Sequence, residues 1–375
     1  MLTPESRQLD FPSLSQRTYL NTAAEGIPPT AVGAALNEYF ADKLLGMDGR
    51  IAHQAKWDAL RQTAAELIGG LSATDIGLCS CSSEAYNLIA LALRLRDGDE
   101  VVINDLDFPA GATPWLQAAC PATVKVWRAR DGALRIDDLL PLLSQRTRFV
   151  NTSWVSFFNG AVAPVSELVP AIRARCPALI GLDVTQALGR VPHVPTDVDV
   201  IVSSTHKWIL GSHGGGIVAI PPQSRERWNI PAGGWFHLED AFGDRRFERA
   251  VSRPGAVGFG VGMPNYPAVY AVNAALNYIR DVSVEAIAAA ADPLATQVRE
   301  RLGRLNVELI TPIAPAPLAG IVAFRHPASE RIHAALHAQG IHVMMHAGRV
   351  RIAVHGYNTQ ADIDRFFEVL EPELT

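Results

Sequence analysis

Two side chains of complementary chemistry each follow an apolar run. Lys207 stands in Ser203-Ser204-Thr205-His206-Lys207-Trp208, directly after Val198-Asp199-Val200-Ile201-Val202. Asp183 closes a second run, Ala178-Leu179-Ile180-Gly181-Leu182. Taken singly, a lysine after a strand is usually solvated and an aspartate there is often a helix cap. Taken together, they suit pyridoxal phosphate (PLP). That cofactor needs an amine to hold its aldehyde as a Schiff base and a carboxylate to keep its pyridine nitrogen protonated, so that the ring can accept electrons.

The 375 residues are 48% hydrophobic and 19% charged, ordinary for a globular chain with a sizeable core. The formal net charge is −5 and the pI about 6.1. No block of basic residues points to nucleic acid or an anionic membrane. Met1–Asp10 is polar and lacks an apolar signal core, and no uncharged apolar run approaches the length of a membrane span. The expectation is a cytoplasmic protein. Cys79, Cys81, Cys120 and Cys176 are too few for a disulfide scaffold and lack zinc-site spacing, so they read as buried free thiols and no metal is expected.

The elements that must position the pair are read from alternating apolar runs and helical segments. Strands are expected at Ile76–Ser80, Glu100–Asn104, Thr123–Trp127, Arg148–Thr152, Ala178–Leu182, Val198–Ser203 and Gly216–Ile220. Helices are expected at Glu84–Arg94, Gly111–Ala119, Asp137–Leu143 and Ser166–Arg175. This pattern predicts a mostly parallel sheet with helices on both faces, the last strand entering antiparallel after a glycine loop. Ligands in such sheets collect at the carboxyl ends of strands, where Asp183, Ser204 and Lys207 fall. Pro221 to Pro264 is rich in Gly, Pro, Trp and Arg and reads as active-site loops or subunit contacts. Helices Pro267–Arg280 and Val284–Leu302 follow. Then come Val307–Ile310, Ile321–Phe324, Ser329–Ala338, His342–His346, Val350–Val354 and Ala361–Leu370, a smaller α/β unit. Thr311–Leu318 reads as a loop.

These motifs together resemble the class V aminotransferase family of fold-type I PLP enzymes, which includes cysteine desulfurases, kynureninase and isopenicillin-N-epimerase-like proteins. The resemblance runs from Tyr19-Leu20-Asn21-Thr22-Ala23 to Tyr357-Asn358-Thr359. Ser204-Thr205-His206-Lys207 is similar to the family's Ser-x-His-Lys, which implies that Lys207 is the Schiff-base lysine. Asp183-Val184-Thr185-Gln186-Ala187 is similar to Asp-x-x-Gln-Ala, which implies Asp183 at the pyridine nitrogen and Gln186 at the phenolic oxygen. Cys81-Ser82-Ser83-Glu84-Ala85 resembles a Thr-Thr-Glu turn that opens a helix. Ser82, Ser83, Ser204 and His206 are then phosphate-side residues; a plain helix cap for Ser82 or Ser83 and a structural role for His206 are the alternatives. Phe108 falls where the family stacks a ring on the cofactor, a core phenylalanine being the other reading. Arg351, six residues before Tyr357, matches the carboxylate-binding arginine, with Asn21 also on the substrate side. Arg349 reads as a solvent-facing strand residue.

The chain departs from the pattern in three places. Trp154 and Phe157 stand where the family has histidine and asparagine, leaving Ser156 as the stand-in for a hydrogen bond to the cofactor oxygen. Ile341–Gly348 contains no cysteine, so a persulfide-forming nucleophile is missing. Gly262-Met263-Pro264 replaces Gly-Thr-Pro, and a methionine cannot donate to a neighbouring subunit's phosphate.

The fold that the resemblance implies is the fold-type I PLP transferase, an α/β architecture with a mostly parallel seven-stranded sheet. The expected division is an N-terminal segment at 1–30, a large PLP-binding domain at 31–265 and a small C-terminal domain at 266–375. The expected activity is PLP chemistry on a small α-amino acid, with Lys207 as base at the α-carbon. Transamination is the first reading and a β-eliminating C–S lyase or an epimerase the alternative. A nicotinamide oxidoreductase would need an early Gly-x-Gly-x-x-Gly turn. The only glycine cluster, Gly211–Gly216, comes after Lys207. A homodimer is expected, with Trp235 and Phe236 at the interface.

Overall fold

In the computed structural model, which describes residues 1–313 and 318–374, the central sheet has seven strands. Their spatial order is Ile76–Cys79, Gly216–Ala219, Val200–Ser204, Leu179–Asp183, Thr147–Ser153, Glu100–Asn104 and Thr123–Trp127. Gly216–Ala219 runs antiparallel to both neighbours and the other pairings are parallel. Side chains alternate between two buried faces, as a sheet covered on both sides requires. Val102, Val150, Ile180, Ile201 and Ile217 pack into one core. Val101, Phe149, Leu179, Val200 and Val218 pack into the other.

A second sheet lies in the C-terminal part. Its order is Met344–His346, Arg349–Ala353, Ile321–Arg325, Glu308–Leu309, all antiparallel. The expected strand at 342–346 is divided, because the chain changes partners at buried Val343. Ile341–His342 pairs in parallel with Thr18–Tyr19, and Met344–His346 pairs with Arg349–Ala353. The N-terminal segment is thereby tied to the C-terminal part: Leu20 packs with Val322, Ile352 and Phe366. The loop expected at Thr311–Leu318 lies partly outside the described residues.

Three α-helices precede the first strand of the central sheet, Pro4–Asp10, Thr30–Leu44 and Arg50–Ile68, where sequence reasoning assigned none. The two longer ones and the turn between them leave Phe40, Leu44, Leu45, Met47 and Ile51 exposed. Apolar residues on the outer face blur the one-sided stripe by which a helix is read. Two further corrections concern burial. Cys79 and Cys176 are buried, but Cys81 is exposed and Cys120 partly exposed. Arg349 is not solvent-facing; it is 1% exposed. Among the described residues no helix is long and apolar enough to cross a membrane.

Candidate active site

The carboxyl ends of three sheet strands and the start of one helix surround a cavity of about 190 Å³. Its walls include Cys81, Ser82, Ser83, Phe108, Ser153, Phe157, Asp183, Thr185, Gln186, Ser204, His206 and Lys207. Of the residues singled out from sequence, Ser82, Ser83, Phe108, Asp183, Gln186, Ser204, His206 and Lys207 come together here. Ser156, Asn21 and Arg351 do not line it.

Asp183 ends its strand and is 8% exposed. Its Oδ1 accepts from the Thr185 backbone N–H at 2.8 Å, and its Oδ2 accepts from the Tyr86 hydroxyl at 2.9 Å. Burial, with the Asp183 and Asp107 charges beside it, raises the Tyr86 hydroxyl well above its ordinary range. Tyr86 escaped the sequence reading, although it lies four residues beyond Ser82 on the helix Ser82–Leu93 and so shares its face. Asp107 escaped it too. Burial and the neighbouring Asp183 push its carboxyl up to about 7, while the Ser153 N–H donates to it at 2.7 Å.

Lys207 follows the adjacent strand. Its Nζ lies 5.0 Å from the centre of the Phe108 ring. Burial is the main cause that brings its amine down to about 8; Asp183 pulls the other way and Arg351 adds to the fall. The N-terminal segment closes behind it. Gly26 donates its N–H to the His206 carbonyl at 2.8 Å, and a Cβ there would meet the Lys207 carbonyl at 2.0 Å. Phe108 is 46% exposed, so it is not a core residue.

At the opposite end, the helix Ser82–Leu93 begins after Cys81, which makes no side-chain cap. Its first-turn N–H groups therefore face the cavity without a local acceptor, a ready seat for an anion. The Ser204 hydroxyl donates to the Ser82 hydroxyl at 3.0 Å. His206 stacks on His213 at 4.4 Å, and burial, with the Lys207 and His213 charges, drops its imidazole to about 4. Glu25, His206 and His213 bring their ligand atoms within 4.8 Å of one another. Glu25 and His213 are solvent-exposed and pair at 3.2 Å, an ordinary surface ion pair.

Other side chains are committed elsewhere. Gln186 donates to the Ala23 carbonyl at 3.0 Å and accepts from Trp208 Nε1 at 2.7 Å, which fixes its amide at the cavity wall. The Ser156 hydroxyl donates to the Leu106 carbonyl at 3.0 Å and accepts from the Phe158 N–H, so it braces a turn outside the cavity. Asn21 bridges to Ala353 and its Oδ1 is buried without a partner. Arg351 is 1% exposed. Its Nη1 donates to the Phe157 carbonyl at 2.7 Å, while Nε and Nη2 are unpartnered.

These donors fit PLP. An amine and a held carboxylate face one cavity, a helix start and two serines stand where a phosphate would lie, and a buried guanidinium keeps two donors free for a carboxylate.

Comparison with known proteins follows the same lines. A cysteine desulfurase of Synechococcus elongatus is 28% identical over 88% of this chain, and the chain spans about half (55%) of that relative's length. An uncharacterized aminotransferase of Bacillus subtilis is 25% identical, covering 96% of this chain and 95% of its own. A probable cysteine desulfurase of Pseudomonas putida is 28% identical over 100% and 99%. Among solved structures, the cysteine desulfurase of Thermococcus onnurineus superposes with a TM-score of 0.87 at 22% identity, covering 100% of this chain and 98% of that one. A cystine C–S lyase bound to its product cysteine persulfide gives 0.87 at 22% identity, with 96% and 99% covered. The model of the class-V aminotransferase family matches residues 18–366, nearly the whole length, and the chain belongs to that family of PLP-dependent enzymes.

Proposed function

We propose that this enzyme removes the α proton of a small amino acid at Lys207 and completes a transamination. The observation that carries the reading is the juxtaposition of Lys207 and Asp183 in one cavity, at the ends of neighbouring strands. Bound PLP supplies an aldehyde that captures amines and a protonated ring that draws electrons from the α-carbon. The rest is the work of the chain. Asp183, held by Thr185 and Tyr86, is the carboxylate that keeps the ring nitrogen protonated. Lys207, its amine lowered toward neutrality by burial, takes the proton as a general base near working pH. Ser82, Ser83, Ser204 and the first helical turn hold the phosphate. The two free donors of Arg351 orient the substrate carboxylate, and Phe108 covers the ring face.

A second reading, C–S cleavage, is suggested by the desulfurase relatives, among them those of Synechococcus elongatus and Pseudomonas putida at 28% identity, and here it would run as β-elimination. The turn before Arg351 carries Ala347 and Gly348 and no cysteine, so sulfur would have to leave without a persulfide on that turn. Product analysis separates the two. Keto acid with aminated cofactor supports transamination; sulfide with pyruvate overturns it in favour of the lyase.

The enzyme is proposed to act as a homodimer. Phe40, Leu44, Met47 and Ile51 form an exposed apolar surface that self-association would cover. Met263 lines a second cavity of about 210 Å³ with Ser80, Glu84 and Pro264, Glu84 being in the first turn of the helix that would seat the phosphate. Trp235 and Phe236 pack on each other and are partly exposed.

A further inference from the structure

Two arginines stand on one face of the strand Arg349–Ala353, and the function proposed above uses one of them. Residues two apart on a strand point the same way. Arg349 and Arg351 are each 1% exposed, and each has Nε and Nη2 buried without a hydrogen-bond partner. Burying a guanidinium whose donors go unmet is costly, and in a folded protein such donors await an ordered water, an ion or a ligand.

The surroundings supply no counter-charge. Across the sheet, Arg349 faces Arg325 on one side and His346 on the other; Arg351 faces Ala323 and Met344. The nearest acid in that row, exposed Glu308, is taken by Arg325 at 3.3 Å. Among the described residues neither Arg349 nor Arg351 has an ion-pair partner, and the charges that act on them are cationic: Arg325 on Arg349, and Arg349 with Lys207 on Arg351. What holds Arg349 is aromatic: its guanidinium lies 4.2 Å from the centre of the Phe158 ring and 5.7 Å from that of Phe157. Ring faces grip the plane of a guanidinium and leave its N–H edge for another partner. Phe157 connects this pair to the cofactor cavity. Its ring lines that cavity and meets Phe108 edge-on at 5.1 Å, while its carbonyl receives Arg351.

We infer that Arg349 is a specificity residue that binds a second anionic group, so that the substrate is an α-amino acid with an acidic side chain. The inference rests on the proposed assignment of Lys207 and Arg351. Arg351 takes the α-carboxylate; Arg349, one strand repeat away at about 6.6 Å along the backbone, takes the side-chain anion of a short diacid. The side chain passes the Phe157 ring to reach it. A carboxylate or a sulfur oxyanion presents the acceptor pair that the fork needs.

The test uses the PLP-loaded full-length enzyme, the cofactor's absorbance reporting occupancy. Succinate, propionate and sulfate are titrated separately. Succinate is expected to bind at least tenfold more tightly than propionate. Arg349→Gln should erase that advantage and leave propionate unchanged, whereas Arg351→Gln should weaken both. Arg349→Lys, which keeps charge without the fork, should recover part of the preference. Equal affinities for succinate and propionate in the unmodified enzyme overturn the inference without any variant, as does a succinate preference that survives Arg349→Gln. Sulfate binding that depends on Arg349, with no preference among the organic acids, overturns it in favour of a free-anion site. A borohydride-reduced pyridoxyl adduct on the protein that persists in Lys207→Ala would strike the assignment beneath it instead, a result that the acid titrations do not mimic.

Discussion

At the carboxyl ends of the central sheet, Asp183 has both oxygens occupied by donors, one from backbone and one from Tyr86. On the C-terminal sheet, Arg349 and Arg351 each leave two buried nitrogens unmet. Both regions are buried and both carry charge, so burial does not separate them. What differs is local supply. The strand ends are surrounded by backbone N–H groups, hydroxyls and a helix start, which can satisfy an anion before any ligand arrives. An antiparallel sheet spends its own N–H and C=O groups on pairing and offers a guanidinium no acid. The carboxylate side is preorganised by the fold. The cationic side is left with unmet donors. The variants that follow either break that contrast or give it a scale.

Lys207→Ala carries the largest expected effect, because no other residue lining the cavity supplies an amine. Loss of a general base alone costs about 10²–10⁴-fold, and here covalent capture of the cofactor goes with it. Borohydride treatment of the PLP-loaded enzyme followed by mass spectrometry should find one pyridoxyl group, on Lys207. An adduct on another lysine would move the site.

Asp183→Ala and Tyr86→Phe grade the preorganised side. The first should leave PLP bound and slow α-proton removal by about two to four orders of magnitude, the scale of breaking a buried charge pair, about 3–5 kcal/mol. The second removes one hydrogen bond to a carboxylate, about 1.5–3 kcal/mol. It should cost roughly ten- to a hundredfold in turnover, and more in thermal stability than a surface substitution does. Single-turnover loss of a deuterated α position measures both. If Tyr86→Phe matched Asp183→Ala, the carboxylate would owe its state to the tyrosine and not to the strand end.

Acidity gives a third comparison. The Lys207 amine is brought from 10.5 to about 8 by burial. Capture of added PLP by cofactor-free protein needs the neutral amine, so its rate should climb with pH and level off near 8. The same depression has a stability consequence. Between about 8 and 10.5 the unfolded chain holds a proton that the folded chain does not, so stability from this group rises as pH climbs through that window. Urea midpoints of the native protein and of Lys207→Met, compared from pH 7.5 to 10.5, should converge at the alkaline end. A capture rate still rising at pH 10 would show an ordinary, solvated lysine.

The contrast between the two regions also marks what could be read before the structure. Lys207, Asp183 and the serines of the phosphate end sit in short motifs at strand ends, and the period-two apolar runs that create those ends are strong local signals. Tyr86 and Asp107 act on Asp183 across the fold, and nothing in their own neighbourhood announces it. Arg349 was misread for a related reason. A polar residue alternating with apolar ones looks solvent-facing, and only the aromatic pair Phe157–Phe158, nearly 200 residues upstream, covers it. The helices Thr30–Leu44 and Arg50–Ile68 were hidden by their exposed apolar residues, which make sense on an associating surface. Substitution of Phe40 and Ile51 by Glu should lower the mass seen by light scattering if that surface joins two copies.

The smallest effect is expected at Cys81, which the structure exposes on the cavity wall. It is the one thiol in reach of the cleft, since Cys79 is buried with its thiol raised well above the usual range and Cys176 is buried too. Yet Cys81 belongs to the preorganised side, at the head of the helix proposed to seat the phosphate, while the proposed seat of the substrate carboxylate is Arg351 on the other sheet. A thiol that accepts sulfur must attack the substrate's sulfur atom, forming an S–S bond as the bond to the β-carbon breaks, and on the proposed assignment that sulfur would lie toward the arginines and not toward the phosphate. Cys81→Ser should therefore leave turnover within about twofold, the range of a substitution that touches no reacting atom and disturbs no buried contact. Incubation with cysteine followed by assay of alanine, pyruvate and protein-bound persulfide checks it. Persulfide on Cys81 in step with alanine would place sulfur transfer at the phosphate end and erase the division of labour between the two walls. Pyruvate without persulfide, unchanged in Cys81→Ser, would leave the division standing and assign any sulfur release to elimination.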